Sequence, residues 1–439
     1  MLDINYIREN PDAVKENCRK RGCRIDVDEL IKVDEERRRL IGQTDDLRKE
    51  LNIVYKQKPS PEELEKVKQQ KIQLEDVEVR LAEVEKHFLE LMSWVPNMSS
   101  PNMPEGLSGE DNVELKIWLP DQGYLSGDKL GKGDNAIRYM PKKEGAKHHI
   151  EIGEELEIID NKQSALTSGS RFYYLKGAGA LLEYALFQLL SKKLLEEAFT
   201  PMVVPLLVKE RVLFGTSHFP EGRDQIYKIE STNIEEQNEL FLVGSTEPPL
   251  FAYYMDKVLK EEDLPQKMFA ISPCFRSEVG SWGKDVRGIK RVHQFDKLEM
   301  DIVASENQSQ EMFDLLLSIN EWLLQQLKLP YRVINKCTRD CGYLATYFQY
   351  DVEVWLPGQQ EFMEFGTDTN ATDFQARRMN IKYTDREGNR RFAHTINDTG
   401  VTTRTVIAIL DNFQQPDGSV VVPEVLRPYT GFDVIKPKK

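Results

Sequence analysis

The chain has 439 residues, 40% hydrophobic and 30% charged, with a net charge of −14. That length allows roughly two or three domains with real cores. The composition excludes wholesale disorder, and the acidic balance excludes a surface coated in nucleic acid while leaving room for one local basic patch. No run approaches the roughly 18 apolar residues of a membrane span.

The N-terminal stretch MLDINYIRENPDAV carries acidic residues where a signal peptide would be basic and then apolar, so a cytosolic protein with no membrane partner is expected. The cysteines, Cys18, Cys23, Cys274, Cys337 and Cys341, are too scattered for a disulfide framework or a zinc set. From Val33, the residues Arg37, Leu40, Thr44, Leu47, Leu51 and Val54 follow a 4-3 heptad spacing. Lys58-Pro59-Ser60-Pro61 breaks it. Leu64, Val67, Gln70, Leu74, Val77, Leu81, Val84, Phe88 and Leu91 then resume it. Two arms of similar length around a short break predict an antiparallel helical coiled coil over about 30–95, with Arg37, Thr44 and Gln70 as polar seam positions that fix register. A spacer or dimerisation role is the ordinary reading of such an element. Its tip is basic, however: Arg48 to Lys71 holds seven Lys or Arg against four Glu.

The Pro-, Gly-, Ser- and Asn-rich segment 96–112 predicts a domain boundary. Beyond it strands and helices mix. A helix is expected over Leu181–Ala198, a strand over Pro201–Val208, and further strands over Lys267–Arg276 and Arg291–Asp301. A hairpin is expected around Pro357-Gly358. Hairpins in place of alternating βα units predict an antiparallel sheet in an α+β domain. Gly177 and Gly179 in KGAGALLE lack the third glycine and the βαβ setting of a dinucleotide loop.

The chemistry concentrates in CFRSEVGSWGKDVRGIKRVHQFDKLEM, 274–300. Alternation puts Arg276 and Glu278 on one face, and Arg291, His293, Phe295, Lys297 and Glu299 on one face of the next strand. Two arginines, two acids and an aromatic ring suit a triphosphate, a flat base and an ammonium or hydroxyl. A solvent-exposed charged face is the competing reading, and Phe295 among the charges counts against it.

FRSE followed by RGIKRVHQFDKLE resembles motif 2 (about 268–301) of class II aminoacyl-tRNA synthetases, in the form typical of the seryl-tRNA synthetase family. SRFYYLKGAGALLEYAL and the stretch to Pro205 are similar to motif 1 (about 180–208), a dimer-interface element. HTINDTGVTTRTVIAIL is similar to motif 3 (394–410), with a strand expected to end near Asn397 and a helix to start near Thr402. TDFQARR (372–378) and QQPDGSVVVPEVLRPY (414–429) resemble further family stretches, and the N-terminal region resembles the family's tRNA-binding domain. The resemblance implies residues 1–110 as that domain, with Lys56, Lys58 and Lys68 of the arm as tRNA contacts. It implies 111–439 as a class II catalytic domain, an antiparallel sheet flanked by helices. The implied activity is ATP-dependent activation of L-serine and its transfer to tRNA(Ser), with tRNA(Sec) as a further candidate, by a cytoplasmic homodimer using Mg²⁺. The implied ATP set is Arg276, Ser277, Glu278, Val292, Phe295, Glu364, Phe365, Gly366, Thr367 and Arg404. The implied serine set is Ser245, Thr246, Glu247, Arg276, Glu299, Asn397 and Thr399. Arg276, Glu299 and Arg404 are the catalytic candidates, and Glu364 and Thr367 the metal candidates.

The chain departs from the family in three places. Gly244 and Ser245 stand where proline and threonine are usual. The segment EFGTDTNA (364–371) replaces a run rich in Ser and Cys. One residue is missing between Asn397 and Arg404. Strict alternation also puts Glu364 and Thr367 on opposite faces, so sharing a metal needs a bulge near Gly366. The alternative that these departures raise is an altered or inactive paralogue, binding tRNA or activating another small amino acid.

Overall fold

The structure, a computed structural model, describes all residues but 57–60, 127–129, 231–238, 280–287 and 438–439; of 61–63 and 126 it describes the backbone alone. The chain folds as two compact units, Met1–Met98 and Ser99–Lys439. The division falls within the Pro- and Gly-rich segment 96–112 that the sequence marks as the boundary, ahead of the 110/111 division that the resemblance implies. The reason is that this segment belongs to the second unit: Ser100 N donates to Tyr347 O and Thr338 N to Pro104 O.

Among its described residues the first unit has four helices: α1 (Ile4–Glu9), α2 (Pro11–Arg21), α3 (Val27–Lys56) and α4 (Pro61–Ser93). Asp26 Oδ1 accepts from the backbone N–H groups of Asp28 and Glu29, which starts α3. α3 and α4 form the predicted antiparallel pair, and at 30 residues α3 is about 45 Å long. Each polar seam residue has a partner. Arg37 pairs with Glu85 and lies over the Phe88 ring, Thr44 donates to Leu40 O, and Gln70 donates to Glu50.

The second unit is built on a nine-stranded sheet. Its strands in chain order are β1 (Val113–Leu119), β2 (Gly123–Ser126), β3 (Thr200–Met202), β4 (Gln266–Phe275), β5 (Gln294–Ala304), β6 (Tyr331–Asn335), β7 (Phe348–Leu356), β8 (Glu361–Asn370) and β9 (His394–Thr402). Their spatial order is β2-β1-β6-β7-β8-β9-β5-β4-β3, antiparallel except for the β3–β4 pair. Three helices matter for the site: α5 (Ala178–Glu196), α6 (Ser309–Gln326) and α7 (Arg404–Phe413). Leu186 and Leu190 of α5, Phe313 and Leu316 of α6, and Ile407 and Leu410 of α7 share one core with Leu298, Met300 and Ile302 of β5. One face of the sheet is thereby covered by helices.

Three expectations are corrected. The single strand over 201–208 is two short ones, Thr200–Met202 and Leu207–Lys209, belonging to different sheets. β9 does not end near Asn397 but continues to Thr402, because it pairs with β5 as far as Lys297–Thr402. Arg276, Glu278, Arg291 and His293 lie outside the strands, although Arg276 and His293 still exchange hydrogen bonds across the ends of β4 and β5.

Candidate active site

The central strands β5, β8 and β9 supply the floor of the site. Alternation along β5 turns Phe295, Lys297 and Glu299 to one side. On the neighbouring strands two bulges interrupt alternation. Val352 of β7 pairs with Gly366 and Glu353 with Glu364, so Phe365 is an extra residue. Leu298 pairs with Val401 and Glu299 with Thr399, so Gly400 is another. The first bulge is the one that the metal candidates require, and it brings Glu364 and Thr367 to one cavity wall. The second turns Thr399 and Thr402 to the same side.

Two cavities open on this floor, sharing Arg276, Lys297, Glu364 and Thr399. The first, about 510 Å³, is lined by Glu278, Val292, Phe295, Phe365 and Arg404 besides the shared residues. Arg276 Nε donates to Gly244 O at 2.9 Å, and its guanidinium lies 5.4 Å from the Phe295 ring centre. Arg404, in the first turn of α7, donates to Glu364 Oε1 at 2.8 Å. Arg404 holds Glu364 below the usual carboxylate range. The shorter motif 3 therefore still delivers Arg404 to this cavity.

The second cavity, about 810 Å³, is lined by Ser245, Glu247, Glu299, Asn397 and Thr367 besides the shared residues. Lys297 forms an ion pair with Glu299 and donates to Ser245 Oγ at 3.2 Å. A pairing of Glu299 with a neighbouring lysine thus exists, but inside the cavity wall, and it leaves both groups lining the space. Burial pushes Glu299 up, with Lys297 pulling the other way. Burial, then Glu299, raises Glu247 to about 8, while Gln375 Nε2 donates to Glu247 Oε1 at 2.8 Å.

Residues that sequence reasoning misses complete this cavity: Thr216, His218, Tyr343, Thr346, Gln349 and Gln375. Burial, then Arg276 and Lys297, lowers His218 to about 3, so it is neutral, and its Nδ1 lies 2.9 Å from Thr216 Oγ1. Its ring stands 4.5 Å from that of Tyr343. These residues come from separate segments of the chain, and only Gln375 sits in a stretch that the sequence marks, TDFQARR.

Three predicted site residues turn elsewhere. Thr246 is fully buried, with its hydroxyl bonded to Ser272 Oγ. Ser277 donates to Asp224 O and lines neither cavity. Gly366 faces α6, where an added Cβ would stand 2.6 Å from both Asn320 Nδ2 and Thr399 O. Asp368 also faces away from the cavities. It is fully buried, and burial, then Asp398, pushes it well above the carboxylate range. In the first unit Lys56 and Lys68 are exposed near the arm tip, with Lys68 close to Glu65. Lys58 lies outside the described residues, as do Gly280 and Gly283 of the motif 2 loop. Among the described residues no helix is long and apolar enough to cross a membrane.

Two family models match the chain: the seryl-tRNA synthetase N-terminal domain over residues 1–99, and the tRNA synthetase class II core domain (G, H, P, S and T) over 227–413. The serine–tRNA ligase of Rubrobacter xylanophilus is 37% identical, with all of both chains covered. That of Pyrococcus furiosus is 38% identical, covering 100% of this chain and 98% of its own. Among solved structures, seryl-tRNA synthetase from Pyrococcus horikoshii complexed with ATP superposes with a TM-score of 0.87 at 34% identity, with both chains fully covered. A cytoplasmic serine–tRNA ligase from Naegleria fowleri in complex with AMP gives 0.82 at 28% identity, covering 100% of this chain and 99% of its own.

Proposed function

The chain belongs to the seryl-tRNA synthetase family of class II aminoacyl-tRNA synthetases, and on that premise we propose that it activates L-serine with ATP and transfers the seryl group to tRNA(Ser). The observation that carries this reading is the joined pair of cavities. One has an aromatic ring between arginines, and the other has two buried carboxyl groups and several threonine hydroxyls, with Arg276 on the wall between them.

In the first step the serine carboxylate attacks the α-phosphorus of ATP, and the bond to pyrophosphate breaks. Phe295 stacks on the adenine, with Glu278 and Val292 beside it. Arg276 bridges the α-phosphate and the attacking carboxylate, where negative charge accumulates. Arg404 takes the terminal phosphates at the start of α7, where the helix dipole also favours an anion. Glu364, ionised and half exposed to the cavity, and the Thr367 hydroxyl fit Mg²⁺, which takes one or two carboxylates together with substrate phosphates. When bound, the ion neutralises phosphate charge. In the second step a terminal hydroxyl of the tRNA attacks the seryl carbonyl, and AMP leaves.

Glu247 receives the serine ammonium, and Glu299 with Thr399 receives the hydroxyl. Alanine would leave this buried, hydroxyl-binding carboxyl one hydrogen bond short, which rejects that amino acid strongly. The arm supplies tRNA affinity through its basic tip, by phosphate contacts and shape. A homodimer in the cytoplasm, with tRNA(Sec) as a second acceptor, completes the proposal. The exposed Leu181, Tyr184 and Leu195 on α5 support the subunit contact.

The alternative of an inactive or retuned paralogue is not favoured, since the departures from the family leave the site assembled. Pyrophosphate exchange with serine, alanine, threonine and glycine tests the reading. Serine is expected to exceed alanine by about 10⁴-fold or more, and Glu299→Ala to lower serine activation far more than ATP affinity. Serine no better than alanine in the unmodified chain would overturn it.

A further inference from the structure

Thr403 is the single residue between β9 and α7, and it occupies the N-cap position of α7, yet its side chain makes no cap bond. Its hydroxyl turns instead to α5. Thr403 Oγ1 donates to Glu183 Oε1 at 2.7 Å, and the Tyr173 hydroxyl lies 2.9 Å from the same Thr403 oxygen. Thr403 has one proton to give, so the chain of donors runs Tyr173 to Thr403 to Glu183.

Both ends of this link cost stability. An N-cap threonine that does not cap gives up the acceptor bond that such a residue usually makes, and here the neighbouring Thr402 Oγ1 accepts from Arg404 N at 3.3 Å instead. Glu183 is 5% exposed, on the face of α5 that otherwise buries Leu182, Leu186 and Leu190, and burying a carboxyl is unfavourable without a partner. Burial, with Asp296 adding to it, pushes Glu183 up to about 7, and either protonation state still accepts the threonine bond. What the link holds is the first turn of α7, whose next residue is Arg404. This is also the segment that is one residue shorter than the family pattern.

We propose that Glu183 and Thr403 are positioning residues: the bond from the α7 N-terminus to α5 sets the direction of Arg404 and compensates for the shortened approach from β9. This rests on the reading of Arg404 as the contact to the terminal phosphates of ATP. Glu183 lines neither cavity, and Thr403 borders the first beside Arg404. They act through where α7 begins, and small misplacement of a preorganised charge is costly.

The test separates ATP from a ligand that lacks the terminal phosphates. Thr403→Val keeps the shape and removes the bond, and Glu183→Ala removes the acceptor. Each should raise the ATP KM in pyrophosphate exchange by about 10-fold or more, with the Kd of a non-hydrolysable seryl-adenylate analogue unchanged. Glu183→Gln retains an acceptor oxygen and should restore the ATP KM. In an Arg404→Ala background, Thr403→Val should add nothing further, as expected for residues acting as one unit. Equal weakening of ATP and the analogue, or full additivity with Arg404→Ala, would overturn the proposal. If Glu183→Ala does not fold, the isosteric Thr403→Val cycle still decides. An ATP KM unmoved by Arg404→Ala itself would instead refute the assignment of Arg404. An effect of Arg404→Ala without any effect of Thr403→Val would refute the link alone.

Discussion

The carboxyl of Glu247 makes serine recognition a proton-linked event. In the free protein burial and Glu299 raise it to about 8, so at neutral pH it holds a proton. An ammonium partner needs the carboxylate, so binding must expel that proton, and apparent affinity scales with the ionised fraction. That fraction is about a half at pH 8, about a tenth at pH 7 and about a hundredth at pH 6. The serine KM should therefore fall about 50-fold between pH 6 and pH 8, close to the limit of about 1.4 kcal/mol per pH unit. Pyrophosphate exchange across this range measures the slope, and calorimetry in two buffers of different ionisation enthalpy should show nearly one proton released per serine at pH 7. Glu247→Gln should bind weakly and without the slope. The same group acts on folding: an unfolded glutamate ionises near 4.5, so its contribution to stability is whole below that value and is lost as pH rises through about 8. A serine KM that is flat or rises with pH, or a slope retained in Glu247→Gln, would refute the argument.

Arg276→Ala should lower exchange by about 10²–10³, as for other single preorganised contacts, and Arg276→Lys should not restore it, because lysine cannot make the bidentate fork; steady-state kinetics of both variants checks this. Deleting 30–95 should abolish tRNA charging and leave pyrophosphate exchange largely intact, an outcome that equal loss of both would contradict. Changing Lys56, Lys58 and Lys68 to Glu should weaken tRNA binding and flatten its salt dependence in filter-binding titrations. Asp368→Asn should stabilise the protein more at pH 8 than at pH 5, because the folded form keeps a proton that the unfolded form releases, and holding it costs about 1.4 kcal/mol for each pH unit climbed; thermal melts at the two pH values measure the difference.

The arm is legible in the sequence because a heptad repeat is a local pattern that recurs many times, and even its polar seam positions find the partners such positions need. Phe295, Lys297 and Glu299 are legible because they alternate on a real strand. Arg291 and His293 join that strand only if its period is extended past the point where the ladder begins, at Gln294. Thr246 misleads for a different reason: it shares a motif with Ser245 and Glu247, but its hydroxyl is satisfied by Ser272, and a spacing cannot show which neighbour a side chain will choose. His218 and Tyr343 carry no signal of this kind. Their proximity joins segments far apart in sequence, and nothing local marks them. Asp368 stands out as an unexpected charge, but its burial near Asp398 depends on strand register. The Glu183–Thr403 bond is out of reach too, since it joins motif 1 to motif 3.

The two bulges have a consequence for how this chain can change over evolutionary time. Each acts as a parity switch: Phe365 lets Glu364 and Thr367, three apart, share a side, and Gly400 does the same for Thr399 and Thr402. Adding one residue to either interval would invert part of the site, sending a phosphate or hydroxyl ligand into the helix-covered core, whereas deleting the extra residue would restore plain alternation and keep both ligands on one side. Added residues are thus excluded between those residues, and length varies most freely where the ladder has ended. The chain has one such place on this route, the single step from Thr402 to Arg404, and a missing residue there costs reach without reversing any side chain. A lineage can lose a residue at that step and keep its chemistry, provided that something else takes over the aiming of the arginine.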